Sequence, residues 1–293
     1  MESFVQYLFA GLSAGSMYAL VALGLVLVHQ ASRVLNFAHG DLATLSTFVA
    51  YALLALQFPF WIAATLAILA GAALAACFYL GILVAAQRRE ATHLGQVILT
   101  LGLGLTLQGT TAFVWGTEPQ PFRFPFSDTR TMKLGPIAMS ELGLATLGAG
   151  LFCAVLLYAL VQRTRVGRAM RAISENLIAA QTLGLPTKRL LALSWGVAAS
   201  LAAIAGLFLA PALFLDPYFM LDPFLKGFAA AILGGLNSLP GAIVGGLLLG
   251  LAESLSGAYI AIQFKNTLAF LVIILVLFIR PEGLLGRVFE ERV

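Results

Sequence analysis

Hydrophobic and polar positions alternate along this chain on a long scale. Extended apolar runs are separated by short polar breaks, at 4–30, 41–57, 60–86, 96–116, 139–162, 190–211, 223–236, 240–258 and 266–280. A helix crosses the hydrocarbon core of a bilayer in about 20 apolar residues. Lipid admits only backbone that satisfies its own hydrogen bonds, which a helix does within one segment. The pattern therefore predicts an all-α fold, a polytopic transmembrane helical bundle of about 8–9 spans over 1–293, with no separate polar domain. Runs 41–57 and 223–236 are short, and each reads equally as a full crossing, a half-helix or a re-entrant segment.

Composition changes that picture only by strengthening it. Of 293 residues, 60% are hydrophobic and 10% are charged, against about 25% charged in soluble domains. Cys77 and Cys153 fall inside apolar runs and read as small packing residues, with no metal site or disulfide implied. Nothing basic precedes Phe4 and the first run is long, so it is expected to be a mature span and not a cleaved signal.

Charge sets the expected orientation. The net charge is +4, but the cations cluster beside apolar runs, where they orient a membrane protein and do not imply nucleic acid as a partner. One basic loop holds Arg88 and Arg89. The other holds Arg163, Arg165, Arg168, Arg171, Lys188 and Arg189 against the single acid Glu175. The positive-inside rule places both in the cytoplasm, the N-terminus outside, and the C-terminus, with Arg280, Arg287 and Arg292, inside. The intervening loop at 117–138 is then external; its prolines (Pro119, Pro121, Pro125, Pro136) predict irregular structure.

Small residues recur at helix-packing spacing: Gly11 with Gly15, Gly241 with Gly245, and Gly246 with Gly250. Such pairs let helix backbones approach closely and speak for a bundle, without indicating a substrate.

The 163–190 loop carries the clearest local signals. Ser174 is a suitable N-cap with Glu175 in the following turn, Gly184 suits a C′ position, and Pro186 stops continuation. These predict a short helix at about 175–183 with Leu177, Ile178, Ala180 and Leu183 on an apolar side. That side either rests on the bundle and the lipid interface or docks into a cytoplasmic partner.

Glu175, Ala179, Ala180, Gly184 and Pro186 resemble the coupling-loop motif of ABC importer permeases, with Asn176 and Leu177 replacing the two alanines that usually follow the glutamate. Leu35-Asn36-Phe37-Ala38-His39-Gly40-Asp41 and Leu233-Gly234-Gly235-Leu236-Asn237-Ser238-Leu239-Pro240-Gly241-Ala242 extend the likeness. Together, and over essentially the whole chain, they resemble the shorter permease of the high-affinity branched-chain amino-acid ABC importer family. Members of that family also carry urea or short-chain amides. The resemblance implies a bacterial or archaeal cytoplasmic (inner) membrane. It also implies a second related permease, cytoplasmic ATP-binding subunits and an external, periplasmic solute-binding protein as partners. No cofactor and no catalysis are implied for this subunit.

The polar breaks are where transport chemistry is expected. Asn36, Phe37, His39, Gly40 and Asp41 interrupt the apolar pattern, and polar groups at membrane depth are expensive. Unwound backbone there offers N–H groups to a carboxylate and C=O groups to an ammonium, the two ends of a zwitterion. The same residues equally make a structural turn, with Asp41 capping the next helix and His39 hydrogen-bonded locally. Gly234, Gly235, Asn237 and Ser238 form a second break, and the pair hints at an internal repeat. Glu253 lies within an apolar run and is expected either to find a donor or to face a cavity. His39 has no second His or Cys at ligand spacing, so no metal is expected.

The chain has no Gly-Lys pair and hence no P-loop, so energy for pumping must come from a partner. Two other classes compete. An ion-coupled secondary carrier for a small zwitterion would use acids deep in the spans, with Asp41 and Glu253 as candidates. An intramembrane hydrolase would use His39 and Asp41 but lacks a further catalytic group at matching depth.

Overall fold

A computed structural model describes residues 2–134, 137–260 and 264–286. Pro136, Arg287 and Arg292, used above for the loop and the C-terminus, lie outside the described residues. The helices are α1 (Glu2–Ser32), α2 (His39–Ala55), α3 (Phe60–Arg88), α4 (His93–Trp115), α5 (Glu141–Arg163), α6 (Arg165–Glu175), α7 (Leu177–Thr182), α8 (Thr187–Leu213), α9 (Leu221–Gly234), α10 (Leu239–Tyr259) and α11 (Phe264–Ile279). Each of the nine apolar runs corresponds to one helix. Among the described residues, six (α1, α3, α4, α5, α8 and α10) are long and apolar enough to cross a membrane. The shorter α2 and α9 coincide with the short runs.

One end of the bundle is basic. It gathers Arg33, Arg88, Lys188 and the α6–α7 segment, tied together where Arg33 Nη2 donates to the Ser174 carbonyl at 3.0 Å. The opposite end carries the 117–140 loop. That loop ends in a hairpin, with β1 (Thr131–Leu134) antiparallel to β2 (Ile137–Ser140). The prolines point to irregular structure, which holds for the part of the loop before Thr131; the four-residue strands that follow are a departure from it.

The packing between helices is set by the glycine pairs. A Cβ on Gly11 would come within 2.9 Å of the Gly250 carbonyl, and one on Gly15 within 2.8 Å of the Gly246 carbonyl. The two glycine stripes therefore lie face to face, and α1 makes its most extensive contact with α10. A stacked set of rings fixes another joint: Tyr79, in the π-turn Tyr79–Leu83 of α3, lies 6.0 Å from Trp195 of α8, with Phe78 at 5.9 Å. π-turns carry an extra residue and re-aim the side chains that follow.

Two stretches share an order of elements. A long helix (α1), a break at 33–38, a short helix (α2), a turn at 56–59 and a long helix (α3) are matched by α8, a break at 214–220, α9, a turn at 235–238 and α10. Their directions are opposite: α1 runs toward the basic end and α8 away from it. The long helices are exchanged between the stretches, since α1 packs on α9 and α10 while α8 packs on α2 and α3. The repeat hinted at above is thus differently paired. The counterpart of the 35–41 break is 214–220, and the Gly234–Ser238 turn corresponds to 56–59. The glycines and amide shared by the two sequence motifs reflect tight turns, not equivalent positions.

Candidate functional site

The 33–38 break is held by a single side chain of α4. Thr100 Oγ1 accepts from the Phe37 N–H at 3.1 Å and lies 3.2 Å from the Leu35 carbonyl and 2.8 Å from that of Val97, to either of which its proton can go. Asn36 Oδ1 accepts from the Ala38 N–H at 3.1 Å, so the amide acts on its own turn. Asn36 is buried, as is His39, whose ring lies against Gly24 with neither ring nitrogen hydrogen-bonded among the described residues, so the expected local bond of His39 is not made. Asp41 sits in the first turn of α2 after the N-cap Ala38, with its carboxylate against Gly104. The N-cap is therefore Ala38, not Asp41. Phe37 is half-buried and meets Phe228 at 5.9 Å and Phe224 at 6.3 Å, both on α9. A Cβ on Gly40 would come within 3.0 Å of Phe224 Cβ. The break thus brings the start of α2 onto the start of α9.

α9 carries a charged group that the sequence reading passed over. Lys226, buried, places Nζ 2.9 Å from Glu253 Oε1 of α10 and 2.7 Å from Asp222 Oδ2 one turn earlier. Nζ also lies 5.6 Å from the centre of the Tyr18 ring of α1. Glu253 has thereby found its donor. The available signals were Asp222 and Lys226 at i, i+4 spacing and a lone lysine in an otherwise apolar run.

The Gly234–Ser238 turn lies at the basic end. Gly235 has φ +104°, a backbone that side chains disfavour, and Gly283 packs on it. Ser238 caps α10 by accepting from the Gly241 N–H at 3.1 Å. Gly234 and Gly241 are in backbone contact, with no room for a side chain on either. Asn237 and Ser238 line a cavity of about 520 Å³ together with Arg33, Arg171, Ser174 and Glu175. The two sequence breaks are therefore not adjacent: 35–41 meets α9 inside the bundle, and 234–238 meets the basic loop.

In that loop the short helix is α7, Leu177–Thr182, and its cap is Asn176, which accepts from the Ala179 N–H at 2.9 Å. Ser174 and Glu175 instead close the preceding helix α6, whose cap is Thr164. The expected start at Ser174–Glu175 is corrected by two residues because Asn176, extended at φ −151°, ends one helix and begins the next. Gly184, at φ +78°, ends the segment, and Pro186 precedes α8. Ala180 is buried, whereas Glu175, Ala179, Leu177, Ile178 and Leu183 are exposed. Ile178 and Leu183 are 74% and 80% exposed, so the bundle does not cover this face.

The family model for "Branched-chain amino acid transport system / permease component" matches residues 7–279. The chain belongs to this permease family. The high-affinity branched-chain amino acid transport system permease protein LivH of Escherichia coli (strain K12) is 31% identical, with 99% of this chain and 98% of LivH covered. The corresponding protein BraD of Pseudomonas aeruginosa is 30% identical over the same shares. A probable LivH of Methanocaldococcus jannaschii is 29% identical, covering 92% of this chain and 89% of that one. Among solved structures, a chain of PsaBC from Streptococcus pneumoniae in complex with Fab gives a TM-score of 0.49 at 15% identity, covering 94% of this chain and 91% of that chain. As a permease component with six long apolar helices, the protein is a multi-pass membrane protein and a transport subunit.

Proposed function

We propose that this permease is the membrane subunit of an ABC importer that carries branched-chain or related hydrophobic amino acids into the cell. The observation that carries the proposal is α7, a capped helix in a basic loop whose apolar residues Ile178 and Leu183 stand uncovered. A bundle that worked alone would gain by burying them; a subunit driven by a cytoplasmic ATPase presents them to it. Glu175, Ala179, Ala180, Gly184 and Pro186 form the coupling element in this reading, with Ala180 facing the bundle. ATP hydrolysis belongs to the partner subunits. The likeness to LivH and BraD over nearly their whole lengths supports the substrate class; urea and short amides are the nearest alternatives.

In the same reading the chain is one permease domain with the basic end in the cytoplasm, the N-terminus outside and the C-terminus inside. α2 and α9 complete their crossings through the breaks before them, which makes nine passes. A second, related permease pairs with this one, and a solute-binding protein delivers substrate from outside. Asn36, His39 and Gly40 shape the break beside the path, while Phe37 and Asp41 present side chains to it. Gly234, Gly235, Asn237 and Ser238 form the exit-side turn. Arg33 joins the break to the coupling loop through its bond to the Ser174 carbonyl.

One observation favours a carrier instead: the Lys226–Glu253–Asp222 group is the kind of intramembrane ionisable cluster that ion-coupled carriers use. Copurification separates the two. A tagged chain extracted in mild detergent is expected to bring down ATP-binding subunits and a second permease. A chain that runs alone and transports in proteoliposomes without ATP is a carrier.

A further inference from the structure

Resting on the importer reading, we propose that the Asp222 carboxylate faces the translocation path and receives the ammonium group of the amino-acid substrate. The depth of the group is the first argument. Asp222 is bonded to Lys226, whose Nζ lies 5.6 Å from the ring of Tyr18. Tyr18 is midway along α1, which runs from Glu2 to Ser32, so the cluster stands roughly 20 Å from either end of that helix at 1.5 Å per residue. Glu253, six residues from the Tyr259 end of α10, sets the group toward that side but still within the spans.

Exposure is the second argument. Lys226 and Glu253 have side chains 6% and 11% exposed, but that of Asp222 is 50% exposed. Its neighbours Tyr218 and Leu221 are 52% and 54% exposed, so the opening is a surface and not a crevice. A half-exposed carboxylate within the spans cannot face hydrocarbon. Its exposed side must meet water or another protein group.

Charge is the third. One cation serves two carboxylates, so in ionised form the cluster retains one negative charge. Lys226 pairs with Oδ2 of Asp222 at 2.7 Å, and the carboxylate side chain remains half exposed. The group of correct sign and size is a primary ammonium, which every α-amino acid carries. The 214–220 break before α9 is the irregular backbone that such a path tolerates, and Asp216 holds it by accepting from the Tyr218 N–H at 2.7 Å. Lys226 is the positioning residue: it fixes the Asp222 rotamer from behind, and Glu253 fixes Lys226.

The test uses the complete importer in proteoliposomes, in two arms. In the first, Leu221→Cys in a Cys77→Ala, Cys153→Ala background is treated with a charged methanethiosulfonate, with Phe278→Cys as a lipid-side comparison. Leu221→Cys should react and be protected by leucine with binding protein, whereas failure to react overturns the placement on the path. In the second arm, Asp222→Asn should lower leucine uptake on the order of tenfold or more, and Asp222→Glu should restore most of it. Undiminished uptake by Asp222→Asn overturns the proposal, as does loss of the second permease from purified Asp222→Asn, which would put the carboxylate in the subunit interface. If the unsubstituted complex takes up no leucine, the substrate assignment fails, and the labelling arm still reads the placement of Leu221 and Asp222.

Discussion

Removing Lys226 should be far more damaging than removing Lys226 and Glu253 together. The two side chains meet at 2.9 Å and are 6% and 11% exposed. At an effective dielectric near 20 the attraction over that distance is about 6 kcal/mol. Desolvation of both ions offsets most of it, so the pair is close to neutral for folding as a unit. Lys226→Met keeps the volume but strands the Glu253 carboxylate among α1, α9 and α10, at a cost of about 3–5 kcal/mol. Glu253→Leu should cost less, because Asp222 still holds Lys226 at 2.7 Å. The double substitution removes both charges and should be more stable than Lys226→Met alone, with a coupling energy of up to about 3 kcal/mol. Reversible unfolding of the chain in detergent micelles, followed by tryptophan fluorescence, gives the four corners of the cycle. Single costs that simply add would refute the reasoning, because they would mean that neither charge feels the other.

Four further outcomes follow from the same geometry. Glu175→Arg should leave the thermal stability of this subunit unchanged while abolishing copurification of the ATPase, since Glu175 is exposed at the end of α6. Asn176→Ala removes the cap of α7 and should cost that segment about 1 kcal/mol, seen as faster amide exchange at 177–182 with the spans unaffected. Gly15→Leu should separate α1 from α10, because even a Cβ there would meet the Gly246 carbonyl at 2.8 Å; loss of the monodisperse peak on size exclusion is the readout. Thr100→Val leaves the Phe37 N–H without its acceptor, at a cost of about 1–3 kcal/mol, and amide exchange at Phe37 should accelerate.

Much of the fold was legible because lipid makes the rules simple. Apolar runs translate into helices nearly one for one, and glycine pairs at four-residue spacing, such as Gly11 with Gly15, translate into the α1–α10 contact. Gly184 and Pro186 marked the end of the α7 segment for reasons local to the chain. What stayed hidden depends on partners distant in sequence. Asn176 competes with Ser174 as a cap, and only the exit of α6 decides between them. Lys226 reads as a lone cation until α10 brings Glu253 beside it, 27 residues away. Thr100, which pins the 33–38 break from α4, is an ordinary threonine in an apolar run. The exchange of α1 and α8 between the two repeated stretches leaves no local trace at all.

The central claim, that this permease is driven from the cytoplasm through α7 and carries hydrophobic amino acids, meets its most direct test in a reconstituted complex. Radiolabelled leucine uptake should be measured in proteoliposomes holding the chain with its copurified subunits and binding protein, with ATP inside and no ion gradient. The account predicts uptake that requires ATP and is lost with Ile178→Asp, whose side chain is 74% exposed on α7. Uptake without ATP, driven by an imposed ion gradient and indifferent to Ile178→Asp, would contradict it.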